Sequence, residues 1–143
     1  MRSIFFAGCI LALVVNGPAT AGEVLIKPEE AALPPAPAPS NTRALTRKPE
    51  VILISPSANV NSPFDLRLKF RAHGGSRIEP SSFHLIYLKS QNIDLTERVR
   101  RYVTAQGLEM VDAEAPPGQH TIKALISDSE NREGSAVFTL SIK

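Results

Sequence analysis

Three histidines, one cysteine, scattered hydroxyl and carboxyl groups and an arginine cluster are the residues of this 143-residue chain whose types can do chemistry. His73, His84 and His120 fall in three separate segments, without the close spacing by which three or four ligands converge on zinc. No metal or cofactor is therefore expected. Ser82 and His84 are two apart and share a face if the segment is a strand. They lack the strand-to-helix elbow and glycine support that activate a nucleophile, so catalytic residues are expected to be none and the chain is read as not an enzyme. His73-Gly74-Gly75-Ser76 has no helix after it to present a phosphate cradle. Asp112 and Glu114, with Asp128 and Glu130, flank the 116–127 segment, but without the oxygen density of a calcium loop they are read as solvated turns.

The arginines carry a more specific possibility. Arg98, Arg100 and Arg101 precede Tyr102, and planar guanidinium groups beside an aromatic ring suit an anionic glycan, a lipid headgroup or an acidic partner. On a helix Arg98 and Arg101 share a face, and Glu97 can pair with Arg101 at i+4. Two uses stay open: Arg98, Arg101 and Tyr102 as ligand contacts, or the same residues as the solvated side of an amphipathic connector.

Net charge limits the partners. The chain carries a formal +2 with a pI near 8.9. Over residues 49–143, however, 11 Lys and Arg face 11 Asp and Glu. A neutral domain offers no basic face for releasing counterions from phosphates, so no nucleic-acid partner is expected.

The elements that position these residues follow from composition and period. Arg2, the apolar stretch 4–15, the break at Gly17-Pro18 and Ala19-Thr20-Ala21 together read as a signal peptide over 1–21, cut before Gly22. The apolar stretch is short for a bilayer span, so no transmembrane anchor is expected after cleavage. Cys9 reads as one more apolar residue of that leader, with lipoprotein attachment through it as the alternative. Residues 22–48 hold Pro28, Pro34, Pro35, Pro37 and Pro39 among alanines and read as a Pro/Ala-rich disordered linker, in which Val24-Leu25-Ile26 could add an edge strand.

Residues 49–143 read as strands. Glu50 to Ser55 is a β-branched run closed by Pro56. Phe64, Leu66, Leu68 and Phe70 alternate with Asp65, Arg67, Lys69 and Arg71, one face core and one wet. Pro80-Ser81-Ser82 reads as loop before a buried strand over 83–88. Asp94, Glu97, Leu95, Val99 and Tyr102 have the cap and spacing of a short helix, ended by Gly107. A brief strand over 108–112 and two alternating runs, Ile122-x-Ala124-x-Ile126 and Ala136-x-Phe138-x-Leu140-x-Ile142, complete the domain. The sum is all-β: an immunoglobulin-like Greek-key β-sandwich of about seven strands with one short helical crossover.

Ser55-Pro56, Pro63, Gly118-Gln119-His120 with Ile122, and Asp128-Ser129-Glu130-Asn131 together resemble the strand ends and turns of bacterial Ig-like domains of exported and surface proteins. The resemblance covers 49–143 and implies the fold, with His120 doing by a ring nitrogen what a corner tyrosine does by its hydroxyl. It specifies no ligand. The expected function is thus a non-enzymatic, periplasmic or secreted accessory protein of the bacterial envelope, binding an envelope protein through its strand edges. The alternative is a glycan- or small-ligand-binding module using end loops and the 98–102 segment.

Overall fold

The structure, a computed structural model, describes residues 22–37 and 47–143. The leader, Cys9 and the cut after Ala21 lie outside the described residues, as do residues 38–46. Among the described residues the chain forms two four-stranded sheets. The first has the order β1-β6-β3-β2, from strands Glu23–Val24 (β1), Glu50–Ser55 (β2), Phe64–Arg71 (β3) and Gly107–Glu114 (β6). The second has the order β5-β4-β7-β8, from Ile78–Tyr87 (β4), Ile93–Asp94 (β5), Gly118–Asp128 (β7) and Glu133–Ile142 (β8).

Alternation makes these strands and sets their facing. In β3 Phe64, Leu66, Leu68 and Phe70 are buried while Arg67, Lys69 and Arg71 are exposed. In β7 His120, Ile122, Ala124, Ile126 and Asp128 are buried and the residues between them are half-buried. The two inward rows meet in one core, where the rings of Phe70 and Phe83 lie 5.2 Å apart. Side chains standing on opposite faces of each strand leave every sheet with one outer face.

Three local expectations are corrected. Residues 80–82 are part of β4, which runs from Ile78 with a register shift between Glu79 and His84. Pro80 cannot donate to a ladder, and there the Ser82 hydroxyl accepts from the Ser127 amide at 2.9 Å and donates to the Glu79 carbonyl at 2.6 Å. The crossover helix is shorter than its spacing suggests: α2 is Thr96–Val99, followed by a 3-10 turn at Arg100–Tyr102. Its Asp94 carboxylate accepts from the Thr96 amide at 2.8 Å, and Leu95 and Val99 are fully buried. Gly107 opens β6 rather than ending the helix, because a Cβ there would stand 2.0 Å from the Leu68 carbonyl oxygen.

The largest correction concerns the arm. Residues 22–37 do not hang free as a linker. β1 pairs in parallel with the end of β6, Glu23 opposite Ala113 and Val24 opposite Glu114. Leu25 and Ile26 then enter the core at 0% and 1% exposure. A single helical turn, α1 (Pro28–Ala31), follows. The chain next pairs with the far end of the other sheet, Pro35 bridging Lys89 and the Ser90 amide donating to the Pro34 carbonyl at 2.8 Å. The physical reason is burial: two aliphatic side chains taken out of water contribute about 1.5–3 kcal/mol each, and a proline-rich backbone loses little conformational freedom on docking.

Candidate functional site: the arm clasp and the two outer faces

The three residues singled out as ligand contacts are engaged by the arm. Arg98, on α2, lies against the core-entering segment. Its guanidinium donates to the Leu25 carbonyl at 2.8 Å and, in a two-point grip, to both carboxylate oxygens of Glu30, one at 2.8 Å. Glu23 accepts from both Arg101 and the Tyr102 hydroxyl, while Arg101 donates to that hydroxyl at 2.7 Å and stands 4.9 Å from the ring. Glu97 pairs with Arg100 rather than with Arg101. Lys89 adds a fourth tie, donating to the Ala31 carbonyl at 3.0 Å from a position 5.2 Å over the Tyr87 ring.

The electrostatics follow from these contacts. The Arg98 hydrogen bonds lower the Glu30 carboxyl below its ordinary value against an opposing effect of burial, and the Lys27 amide helps. The Tyr102 hydroxyl does the same for Glu23, again against burial and with Arg101 assisting. Each acid thus stays ionised while it holds the arm. A two-point Arg–carboxylate pair adds geometric specificity to the apolar docking of Leu25 and Ile26.

The histidines have other duties. His120 is buried; its Nε2–H donates to the Pro116 carbonyl at 2.7 Å, a group that can only accept, so Nδ1 accepts from the Tyr87 hydroxyl at 2.9 Å. Burial pushes its pKa below the usual histidine value, partly opposed by the Pro116 bond and aided by Lys89, so the ring is neutral. His73 stands 3.4 Å from Glu50 and His84 lies exposed on an outer face. No group of three His, Cys, Asp or Glu converges on a metal position among the described residues. Asp128 is a hinge pin for the β7–β8 turn. Burial would raise its carboxyl, but the Arg132 and Glu130 amides, the Arg132 guanidinium and the Ser76 hydroxyl hold it below its ordinary value.

The outer faces differ in kind. On the first sheet Arg67 pairs with Asp65 and Glu109 at 3.6 and 3.4 Å, and Arg71 with Glu50 at 3.8 Å. On the second, alternation and register line up Leu88, Thr121 and Thr139, then Ile86, Lys123 and Val137, then His84, Leu125 and Ser135. Val137 is 37% exposed, and Ile86, Leu88 and Leu125 are half-buried. Lys123 has no ion-pair partner among the described residues. At one end Pro35, Ala36 and Pro37 of the arm, with Leu88, Thr121, Val137 and Thr139, wall a cleft of about 350 Å³.

Strand edges are less open than an isolated sandwich implies. Val103 bridges Leu108 at one end of β6 and β1 covers the other. Val60 bridges Ile142 at the end of β8, and Pro49 lies against Gly134 at its start. The stretch of β8 between these covers, residues 135–139, borders the weakly charged face.

Glu23, Glu30, Leu25 and Ile26 are the residues that sequence reasoning did not join to the arginines. The apolar triplet 24–26 was a signal for the strand, whereas the Glu–Arg partners are separated by about 70 positions and leave no local pattern. Compared with family models, curated proteins and solved structures, the chain matches none.

Proposed function

We propose that this chain is a non-enzymatic accessory protein of the bacterial envelope, exported by its N-terminal leader, that binds a protein partner through the outer face of the β5-β4-β7-β8 sheet and the adjoining edge of β8. The observation that carries this reading is the contrast between the faces. Both expose aliphatic groups, but on the first Val24, Ile54 and Val111 stand among Asp65, Arg67, Lys69, Arg71 and Glu109, whereas the other sets Val137 amid half-buried Ile86, Leu88 and Leu125 and small hydroxyl side chains, with a single lysine at its centre. Weakly charged surface of mixed aliphatic and hydroxyl character is cheap to desolvate, whereas a face of paired charges is not.

The immunoglobulin-like Greek-key reading draws support from strand order. The chain leaves the first sheet after β3, returns for β6 and leaves again for β7, as strands A, B and E alternate with C, F and G in such domains. His120, tied to Pro116 four residues upstream, supports the corner role. The hydroxyl of Ser82 and the ring of His120 are both taken up in holding the fold, which supports a binding role over a catalytic one. Binding of glycan through Arg98, Arg101 and Tyr102 would require breaking the arm clasp, so the face is the better-supported surface.

Crosslinking in intact cells followed by purification tests the proposal. The native chain and an Arg67→Asp variant should each yield the same specific envelope protein, and Val137→Glu should lose it. Equal yield from all three would contradict the assignment of the face.

A further inference from the structure

We infer that removal of residues 1–21 does more than release the chain: it creates, at Gly22, an ammonium group that pairs with the Glu114 carboxylate beside the Asp112 carbonyl and completes the dock of the arm. The inference rests on the export reading above, and three separate observations carry it.

The first is steric. A Cβ on residue 22 would stand 2.4 Å from the Asp112 carbonyl oxygen and 2.8 Å from a Glu114 carboxylate oxygen. Only glycine fits that backbone position without displacing β6. By standard covalent geometry the nitrogen of residue 22 then lies within about 5 Å of that carboxylate oxygen, inside the reach of a glutamate rotamer change.

The second is the local charge. Asp112 and Glu114 have no ion-pair partner among the described residues, whereas Asp65, which accepts from the Asp112 amide at 3.4 Å, is already paired with Arg67. The nearby cation Arg101 is held by Glu23. A negative pocket thus meets the backbone at the position where a cut would place a positive charge. An uncut chain has a neutral peptide bond there.

The third is the sequence. Ala19-Thr20-Ala21 ends immediately before Gly22, so the small-residue processing pattern and the glycine demanded by packing coincide at one bond. Glu114 is also the backbone anchor of the arm, its carbonyl accepting from the Leu25 amide at 2.9 Å and the Ile26 amide at 3.2 Å. An ion pair on its side chain would therefore hold the residue on which the arm hangs, and hydrolysis of the 21–22 peptide bond by a leader-removing protease, with water as co-reactant, would tighten the fold.

The test is amide hydrogen exchange at Leu25 and Ile26 in three forms of the mature chain: beginning at Gly22 with a free amine, the same chain acetylated at that amine, and one retaining Thr20-Ala21. Each is made with Glu114 and with Glu114→Gln. Acetylation or the extension is expected to speed exchange by up to about five-fold, the range of a part-exposed ion pair. Glu114→Gln should speed the free-amine form by a similar factor and leave the acetylated form unchanged, since the partner is already gone. Equal exchange in free and acetylated chains, or an equal effect of Glu114→Gln on both, would overturn the pairing. The mass of the chain recovered from the exporting cell tests the other half. A first residue of Gly22 is expected, a cut at another bond would overturn the inference at its processing step, and a retained 1–21 segment would overturn the export reading itself.

Discussion

The two outer faces of this sandwich come from strands of similar alternation, yet they present different surfaces. On β3 the outward row is charged at every position; Arg67 and Arg71 find acids on β3, β6 and β2, and Val24, Ile54 and Val111 are exposed on the neighbouring strands. On β7 and β8 the outward row mixes Thr121, Lys123, Leu125, Ser135, Val137 and Thr139. A face dense in charge keeps much of its water even where aliphatic groups are exposed on it. A face with few charges has less reason to stay solvated. The difference teaches that alternation sets which side is out, and only the chemistry of the outward residues sets what that side can do.

The strongest way to break the comparison is to show that inner and outer rows are not distinct. Phe70 is buried against Phe83 on the inward side of β3, so Phe70→Asp puts an unpaired charge in the core and should unfold the protein in circular dichroism and denaturant melts. Arg67→Asp on the outward side of the same strand loses only exposed ion pairs and should change stability by less than about 1 kcal/mol. Comparable losses would invalidate the facing of β3, and with it the assignment of both outer faces.

Next in size is the arm, which reaches the second face through residues 35–37. Leu25→Ala should cost about 2–5 kcal/mol in equilibrium unfolding, as truncation of a buried leucine does. A spacer with no packing role would show no change. Glu30→Gln, which leaves Leu25 in place but removes a charge from the Arg98 grip, should cost less, near 1 kcal/mol, and be visible as faster proteolysis within 22–37.

Much of this was legible in the sequence, for reasons that differ by element. β3, β7 and β8 carry a clean period of two, and a crossover with Leu95, Val99 and Tyr102 at helical spacing was evident between the sheets. The start of β4 was not, because Pro80-Ser81-Ser82 has turn composition and becomes strand only through the Ser82 hydroxyl, which reaches Ser127 across the sheet. The docking of the arm is hidden for a related reason. Its prolines signal an extended backbone, and an extended backbone can be a free spacer or a docked strand. What decides between them is the core position of Leu25 and Ile26 and the arginines on α2, all set by contacts remote in sequence. The same contacts give Arg98, Arg101 and Tyr102 partners on the arm.

The smallest effects lie in pH. His120 has its pKa depressed by burial, so its contribution to stability is fully present above the unfolded value near 6.5 and is lost as the pH falls below it toward the folded value. Glu23 and Glu30 are also depressed, and their contributions are present above the unfolded value of 4.5 and lost as the pH falls through their lower folded values. Acid should therefore weaken the fold in two stages, the corner first and then the carboxylates, those of the clasp together with Asp94 and Asp128, which are also held below their ordinary value. A His120→Gln variant followed by denaturant melts across pH 7 to 5 should show the first stage flattened, while the carboxylate stage below 4.5 remains.

The most direct test of the account places a photoreactive side chain at Val137 on one face and at Lys69 on the other, in otherwise native chains in intact cells. A discrete adduct of constant mass from position 137, with none from 69, is the predicted result. Adducts of the same mass and yield from both positions, or from 69 alone, would contradict the claim that the β5-β4-β7-β8 face is where this protein meets its partner.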